Sequence, residues 1–236
     1  MLPSSIINSD SSQLLLGVSL DDEDTFENYL FSADNQLAFD ALSQKEDAEQ
    51  FIYIWSSESQ GLTHLLKGAC HQAAIKGAAC LYIPLKEKSG LSPELLLGVQ
   101  SLRLVCIDDI DCLDEEWEQA LFTAFNACKE TPTQLIVSAR KPPGFLDIKL
   151  GDLQSRLQSG LMLQIKDLND SEKLSLLKLR AENRGMKLPD AVAEFILLRA
   201  DRSVAGLMKI LDKLDTRSLQ EKRSLTVPLV KKCMGW

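Results

Sequence analysis

Apolar positions along this 236-residue chain fall into two rhythms, and the switch between them divides it. From residue 51 to 165, short unbroken apolar runs alternate with longer amphipathic stretches. Phe51–Trp55, Ala79–Leu85, Arg103–Asp108, Gln134–Ala139 and Leu161–Ile165 read as strands, and their unbroken apolar character predicts strands covered on both faces. Between them the pattern gives a helix over Leu62–Lys76 stopped by Gly77, and a helix from the cap Ser92-Pro93-Glu94 through Gly98. It also gives an amphipathic helix over Asp114–Lys129 with acids in its first turn, and a short helix near Gly151–Gln158. Strands alternating with helices predict a parallel sheet wound by right-handed crossovers.

Beyond Asp167 only the helical period remains. Asn169-Asp170-Ser171 caps a helix that stops at Gly185, Pro189 opens a second over 190–200, Ser203–Arg217 forms a third and Thr226–Met234 a short fourth. The expected fold class is α/β: a five-stranded parallel sheet of P-loop type with flanking helices, followed by a small all-α unit. Residues 1–24 read as a flexible N-terminal segment, 25–166 as the α/β domain and 167–236 as the helical domain.

Charge sharpens this division. Residues 1–44 hold eight acids (Asp10, Asp21, Asp22, Glu23, Asp24, Glu27, Asp34 and Asp40) and no Lys or Arg, which accounts for the whole net charge of −8. An acidic balance argues against strong direct DNA binding, where phosphate contacts dominate affinity, but not against arrival on DNA through another protein. The six cysteines (Cys70, Cys80, Cys106, Cys112, Cys128 and Cys233) show neither a C-x-x-C pair nor zinc spacing and read as small buried hydrophobes of a reducing cytosol. Without an apolar run of about 18 residues no membrane span is expected. The short run Leu14–Leu20 has no basic flank and does not read as a signal peptide, so the expected location is cytoplasmic.

Candidate chemistry starts at the first strand–helix junction. Trp55 to Leu66 occupies the setting of a phosphate-binding loop, G-x-x-x-x-G-K-[ST], but Ser56 stands at the first glycine and Leu62 at the lysine, leaving Gly61 and Thr63 of the four specified positions. A working loop wraps phosphates with backbone N–H groups, neutralises them with its lysine and holds Mg²⁺ with its Ser or Thr. Here Leu62 brings no charge and Glu58 an unfavourable one, so the loop on its own is compatible with any βα connection. Asp108 and Asp109 end the third strand, at the strand ends where α/β proteins bind ligands. They suit a Walker B pair, one acid holding Mg²⁺ through water and the other orienting the attacking water. An acidic turn before the Asp114 helix is the plainer reading. His64 and His71 have no third ligand, so no metal site is expected from them. Arg156 could reach a neighbouring subunit's nucleotide, but its spacing alone favours a surface salt bridge with Asp152 at i, i+4. The segment Gln13-Leu14-Leu15-Leu16-Gly17-Val18 suits an extended peptide in an apolar groove or an arm packed on its own domain.

Taken together, Gln13-Leu14-x-Leu16-x-Val18, Leu20–Phe26, Thr63-His64-Leu65-Leu66, Leu104–Ile110, Arg140–Pro143, Asp152-Leu153-x-Ser155-Arg156-Leu157 and Leu225–Lys231 resemble the Hda family of DnaA-related AAA+ proteins, over about residues 13–235. The resemblance implies an AAA+ domain followed by a helical lid. It implies a regulator of chromosomal replication that, bound to the DNA-loaded sliding clamp, stimulates ATP hydrolysis by the initiator DnaA and prevents re-initiation. It also implies that the chain is not itself an enzyme but a degenerate AAA+ protein acting on a partner's ATPase. Its implied partners are DnaA and the beta subunit of the DNA polymerase III clamp, with DNA met only through the clamp, no membrane, and homodimerisation left open. Residue by residue, Gln13, Leu14, Leu16 and Val18 match the clamp-binding peptide, with Val18 smaller than the usual last Leu, and Arg156 matches the arginine finger that acts in trans. Asp108 matches Walker B, and Ser138 lies near the sensor-1 position. The implied nucleotide is ADP. Two departures put it in doubt, because Leu62 replaces a Lys or Arg and Ala205 stands about where the lid's sensor-2 arginine would be, with Arg202 as a partial substitute. The rival from another class is a non-catalytic adaptor that binds DnaA or another AAA+ protein without triggering hydrolysis. An autonomous ATPase is a third reading, against which Leu62 argues.

Overall fold

A computed structural model describes residues 24–43, 49–57, 61–221 and 225–236. The predicted clamp peptide (Gln13, Leu14, Leu16, Val18) and Glu58 lie outside the described residues. The five strands are β1 (Phe51–Trp55), β2 (Cys80–Pro84), β3 (Leu104–Asp108), β4 (Gln134–Ala139) and β5 (Leu161–Gln164). All pair in parallel, in the order β2-β3-β4-β1-β5. Inserting β4 beside β1 places β1 between β4 and β5, with its exit loop in the crevice that such a reversal of strand order opens.

Alternating side chains explain why the strand sequences carry no polar period. Phe51, Tyr53, Leu81, Ile83, Val105, Ile107, Leu135 and Val137 pack on one face, under α3 (Glu115–Lys129) and α4 (Gly151–Leu157). Ile52, Ile54, Tyr82, Leu104, Cys106 and Ile136 pack on the other, under α1 (Gln36–Leu42) and α2 (Leu62–Ile75). With both faces covered, neither set can be polar. A third core, including Leu177, Ile196, Leu207, Leu211, Leu214 and Val230, is built by α5 (Asp170–Asn183), α6 (Asp190–Arg199), α7 (Val204–Glu221) and α8 (Val227–Met234). The start of α5 is a capping box: Asn169 accepts from the Glu172 N–H while Glu172 accepts from the Asn169 N–H.

One predicted helix is absent. The segment from Ser92 through Gly98 forms only a 3₁₀ turn over Pro93–Leu96, and a second follows at Val99–Ser101. The Ser92 cap forms as expected, its hydroxyl accepting from the Glu94 N–H at 3.3 Å. Gly98 then takes φ +78°, and Leu96 and Val99 are both drawn into the core beneath α3. The chain turns down at Leu96 and again at Val99, while Leu97 between them is 71% exposed, so no continuous face extends for a full helical turn.

Between α4 and β5 the chain passes Gly160 with no room to spare. A Cβ there would lie 2.2 Å from Phe51 Cδ1 and 2.5 Å from the Phe51 carbonyl oxygen. The obstruction includes backbone of β1, an interior strand paired on both sides, which cannot move aside without breaking sheet hydrogen bonds. Gly160→Ala is expected to destabilise the protein by about 1–3 kcal/mol, the usual penalty for overpacking, read as a lowered urea midpoint with an unchanged slope.

Candidate functional site

The C-terminal ends of the strands, the first turn of α2 and the helical region enclose a cleft of about 330 Å³. Pockets of this size and larger hold small ligands. Gly61, Leu62, Thr63 and His64 form its floor, Lys86, Asp109 and Arg140 enter from the loops after β2, β3 and β4, and Asn28 to Leu30 close one side. Leu168, Leu176, Arg180, Val204, Ala205 and Met208 close the other.

The floor is the loop with Ser56 and Leu62 at two of the four positions that a phosphate-binding loop specifies. Gly61 has φ +79°, and a Cβ on it would sit 3.0 Å from the Tyr29 ring, so glycine is required twice over. No side chain caps the helix it opens, so the N-terminal end of the α2 dipole is turned to the cleft. Ser56, at the first glycine position, is 1% exposed and donates its N–H to the Ala139 carbonyl at 3.2 Å, binding the loop to the end of β4.

Behind this floor lies Asp108, at 2% exposure, with both carboxylate oxygens occupied. Oδ2 accepts from Thr63 Oγ1 at 2.6 Å and from Tyr82 Oη at 2.8 Å. Oδ1 accepts from the Asp109 N–H at 3.1 Å and from the Ser138 hydroxyl. Burial foremost, and then Asp108, push the Tyr82 phenol far above its usual range, so it stands in this network as an O–H donor. Asp109 has φ +56°, and it is the one non-glycine residue with positive φ among those described. That strain turns its side chain out of the sheet toward the cleft. Burial and the neighbouring Asp108 raise its carboxyl above the ordinary range, with Arg140 and Lys86 pulling the other way.

Gly61, Thr63, Asp108, Asp109 and Ser138 are thus brought together, and Ala205 does line the cleft. Arg202 does not compensate for it: its guanidinium is tied to Asp170 and lies outside the cleft lining. The cations that do line the cleft are Lys86, Arg140 and Arg180, which sequence reasoning missed. Lys86 and Arg140 had a legible signal, since each follows a parallel strand by one or two residues. Arg180, in the middle of α5, had none. The charge missing from Leu62 and Ala205 is therefore matched by other elements, and the residues present fit a phosphate-bearing ligand.

A latch sits beside the floor. Asp24 meets Lys67 Nζ at 2.9 Å and His64 Nδ1 at 3.2 Å, while His64 Nε2 lies 2.6 Å from the Thr25 carbonyl. Asn28 continues the tie to the helical region, its side-chain oxygen accepting from Asn183 Nδ2 at 2.7 Å. Burial by itself would raise the Asp24 carboxyl, but hydrogen bonds from His64 and Lys67 outweigh it and hold the pKa at about 2, below the ordinary 3.8. A depressed carboxylate stabilises the fold above its unfolded pKa and loses that contribution as pH falls through the folded one. Asp24→Asn should therefore cost about 1–2 kcal/mol at neutral pH. Its deficit in thermal unfolding should close between pH 4 and 2.

Arg156 stands apart from this cleft. It is half-buried near the end of α4, with Cζ 5.7 Å from the centroid of the Phe125 ring. Among the described residues it makes no ion pair with Asp152, so the salt bridge that its spacing favours is not formed. Aromatic stacking holds it instead, because α4 packs on α3 through Leu153 and Leu157. The other end of α4 is fixed by Glu118, a 4% exposed acid of α3 whose carboxylate accepts the N–H groups of Lys149 and Leu150. Glu118 reads in sequence as one more surface acid of an amphipathic helix, and only the packing of α4 reveals its use.

Among the described residues no cluster of His, Cys, Asp or Glu suits a metal ion, and no helix is long and apolar enough to cross a membrane. Residues 170–234 match the family model for the lid domain of Hda. The fold is similar to domain III of the Thermotoga maritima replication initiation protein DnaA, with a TM-score of 0.80, 19% identity, and coverage of 91% of this chain and 97% of that one. It is similar to AMPPCP-bound DnaA from Aquifex aeolicus, with a TM-score of 0.70, 23% identity, and coverage of 82% and 65%. The Thermotoga maritima Holliday junction branch migration motor RuvB also matches, with a TM-score of 0.62, 19% identity, and coverage of 85% and 66%. The helical region is thus similar to the lid domain of Hda, and the whole architecture shares the fold of DnaA domain III.

Proposed function

We propose that this protein regulates replication initiation by stimulating ATP hydrolysis on the initiator DnaA, supplying Arg156 in trans. The observation that carries this reading is the separation of Arg156 from the chain's own cleft. An arginine tied to a carboxylate would have its charge spent locally. One stacked on Phe125 keeps its N–H fork available to the γ-phosphate of a second molecule. Such fingers act by stabilising charge that spreads over the transferring phosphoryl group, and contribute roughly 10³–10⁵ in rate. Glu118 and Gly160, at the two ends of α4, are the positioning elements.

In this reading residues 1–24 form the tethering arm, 25–166 the AAA+ domain and 167–236 the lid. Gln13, Leu14, Leu16 and Val18 dock on the sliding clamp, which brings the protein to DNA, in the cytoplasm of a bacterium. The cleft around Gly61, Thr63 and Asp109 holds ADP as a bound ligand and not as a substrate. Leu62 leaves the loop without its phosphate-neutralising lysine, so the protein's own turnover is weak or absent.

The test follows ATP bound to purified DnaA in the presence of DNA-loaded clamp. Added protein should accelerate conversion to ADP, and Arg156→Ala should lose that acceleration by about 10³ or more while still binding clamp. Gln13→Ala with Leu14→Ala should weaken clamp capture and lower stimulation only in proportion. A stable complex with unchanged turnover would instead make the protein a non-catalytic adaptor.

A further inference from the structure

We infer that the cleft binds a nucleoside diphosphate without Mg²⁺. Tyr82 fills the place of the metal's contact with Asp108, and Lys86 and Arg140 take over the neutralisation of the phosphates. The inference rests on the reading above that the cleft is a nucleotide site, and it concerns what balances the charge there.

The first observation is the saturation of Asp108. An ionised carboxylate offers about four acceptor positions. Four donors are seated on this one: Thr63 Oγ1, Tyr82 Oη, the Asp109 N–H and the Ser138 hydroxyl. The Thr63 bond alone would be neutral evidence, since a threonine hydroxyl can donate to the acid while its lone pairs face a cation. Tyr82 decides the matter. Magnesium keeps several of its waters and reaches a carboxylate either directly or through one of them. Either way it needs a free position on Asp108. The Tyr82 hydroxyl, arriving from β2 at 2.8 Å, holds one of those on Oδ2, and the site is 2% exposed. Displacing the phenol would leave a buried hydroxyl without a partner, a penalty that water does not repay in so closed a place.

The second observation is where positive charge sits. A diphosphate without metal needs cations from the protein. Leu62 and Ala205 supply none, and Arg202 is engaged with Asp170. Lys86 and Arg140 both line the cleft, on neighbouring loops either side of Asp109, and neither is in an ion pair among the described residues. The Arg140 backbone is held in place, its N–H donating to Asp111 Oδ2 at 2.7 Å. Arg140 thus brings a planar donor fork and Lys86 a point charge toward the open N-terminus of α2, where backbone N–H groups already favour an anion. Leu30, Leu176 and Met208 offer the apolar wall that a nucleobase needs.

The experiment is a titration of the full-length protein with ADP carrying a fluorescent ribose label, read by anisotropy, with excess Mg²⁺ and with EDTA. The affinity should agree within about twofold between the two conditions, a difference of under 0.5 kcal/mol. Arg140→Ala should weaken binding about tenfold or more in both, as expected for loss of a charge-assisted hydrogen bond, with Arg140→Lys restoring part of it. Arg140 is exposed, so its removal leaves folding intact, which far-ultraviolet circular dichroism would check. Tyr82→Phe should create a dependence on Mg²⁺ that the natural protein lacks, and a variant that stays indifferent to the metal would overturn the role given to Tyr82. Tight binding that EDTA abolishes would overturn metal independence while leaving the nucleotide site standing. No binding under either condition would overturn both.

Discussion

The buried carboxylate of Asp108 is the constraint around which the α/β part is arranged. A charge at 2% exposure cannot be tolerated without partners, and no cation among the described residues neutralises it directly. Its stability depends on four hydrogen-bond donors arriving from four places: the first turn of α2, the middle of β2, the end of β4 and the strained turn that follows β3 itself. Each donor can be in reach only if β2, β3 and β4 lie side by side in register and α2 starts immediately above them. The network therefore fixes the height of the α2 N-terminus over the sheet. That fixes the floor of the cleft.

The same residues explain how the cleft keeps its shape with Leu62 where a phosphate-binding loop would carry a lysine. Asp108, Thr63 and Ser138 are held by one another, so their geometry does not require a metal to organise it. The loop lysine of a working ATPase contributes charge and not packing, and Leu62 removes that charge while its neighbours Leu65 and Leu66 stay in the core. Arg156 is organised independently, by Phe125 beneath it, Glu118 at one end of its helix and the cramped Gly160 at the other. Two separate supports therefore hold two separate features: the cleft at the strand ends, and the half-buried arginine of α4.

Most of the elements are legible because burial on both sheet faces leaves unbroken apolar runs that nothing else explains. The presence and approximate bounds of all five strands along the chain follow from this. The helix stops at Gly77 and Gly185 follow too, since both take the left-handed conformation that ends helices. The segment after Ser92 reads as a helix because of its Ser92-Pro93-Glu94 cap, but Leu96 and Val99 anchor two separate turns under α3. At the site, Gly61, Thr63, Asp108 and Asp109 were visible through their spacing between strand and helix. Tyr82 was not, because a tyrosine in an apolar strand reads as core until β2 is known to lie beside β3.

The sequence by itself determined the alternation of strands and helices, the switch to an all-helical region and the absence of a lysine at position 62, because these are local properties of composition and period. Tertiary structure alone decided which charges meet. Lys86 and Arg140 come from loops 54 residues apart yet face the same cleft, and Arg180 reaches it from α5. Asp152, four residues from Arg156, leaves the arginine to an aromatic ring from another helix. Electrostatic partners are chosen by distance through space, and for this chain that distance is set by the strand order β2-β3-β4-β1-β5, which no local pattern encodes.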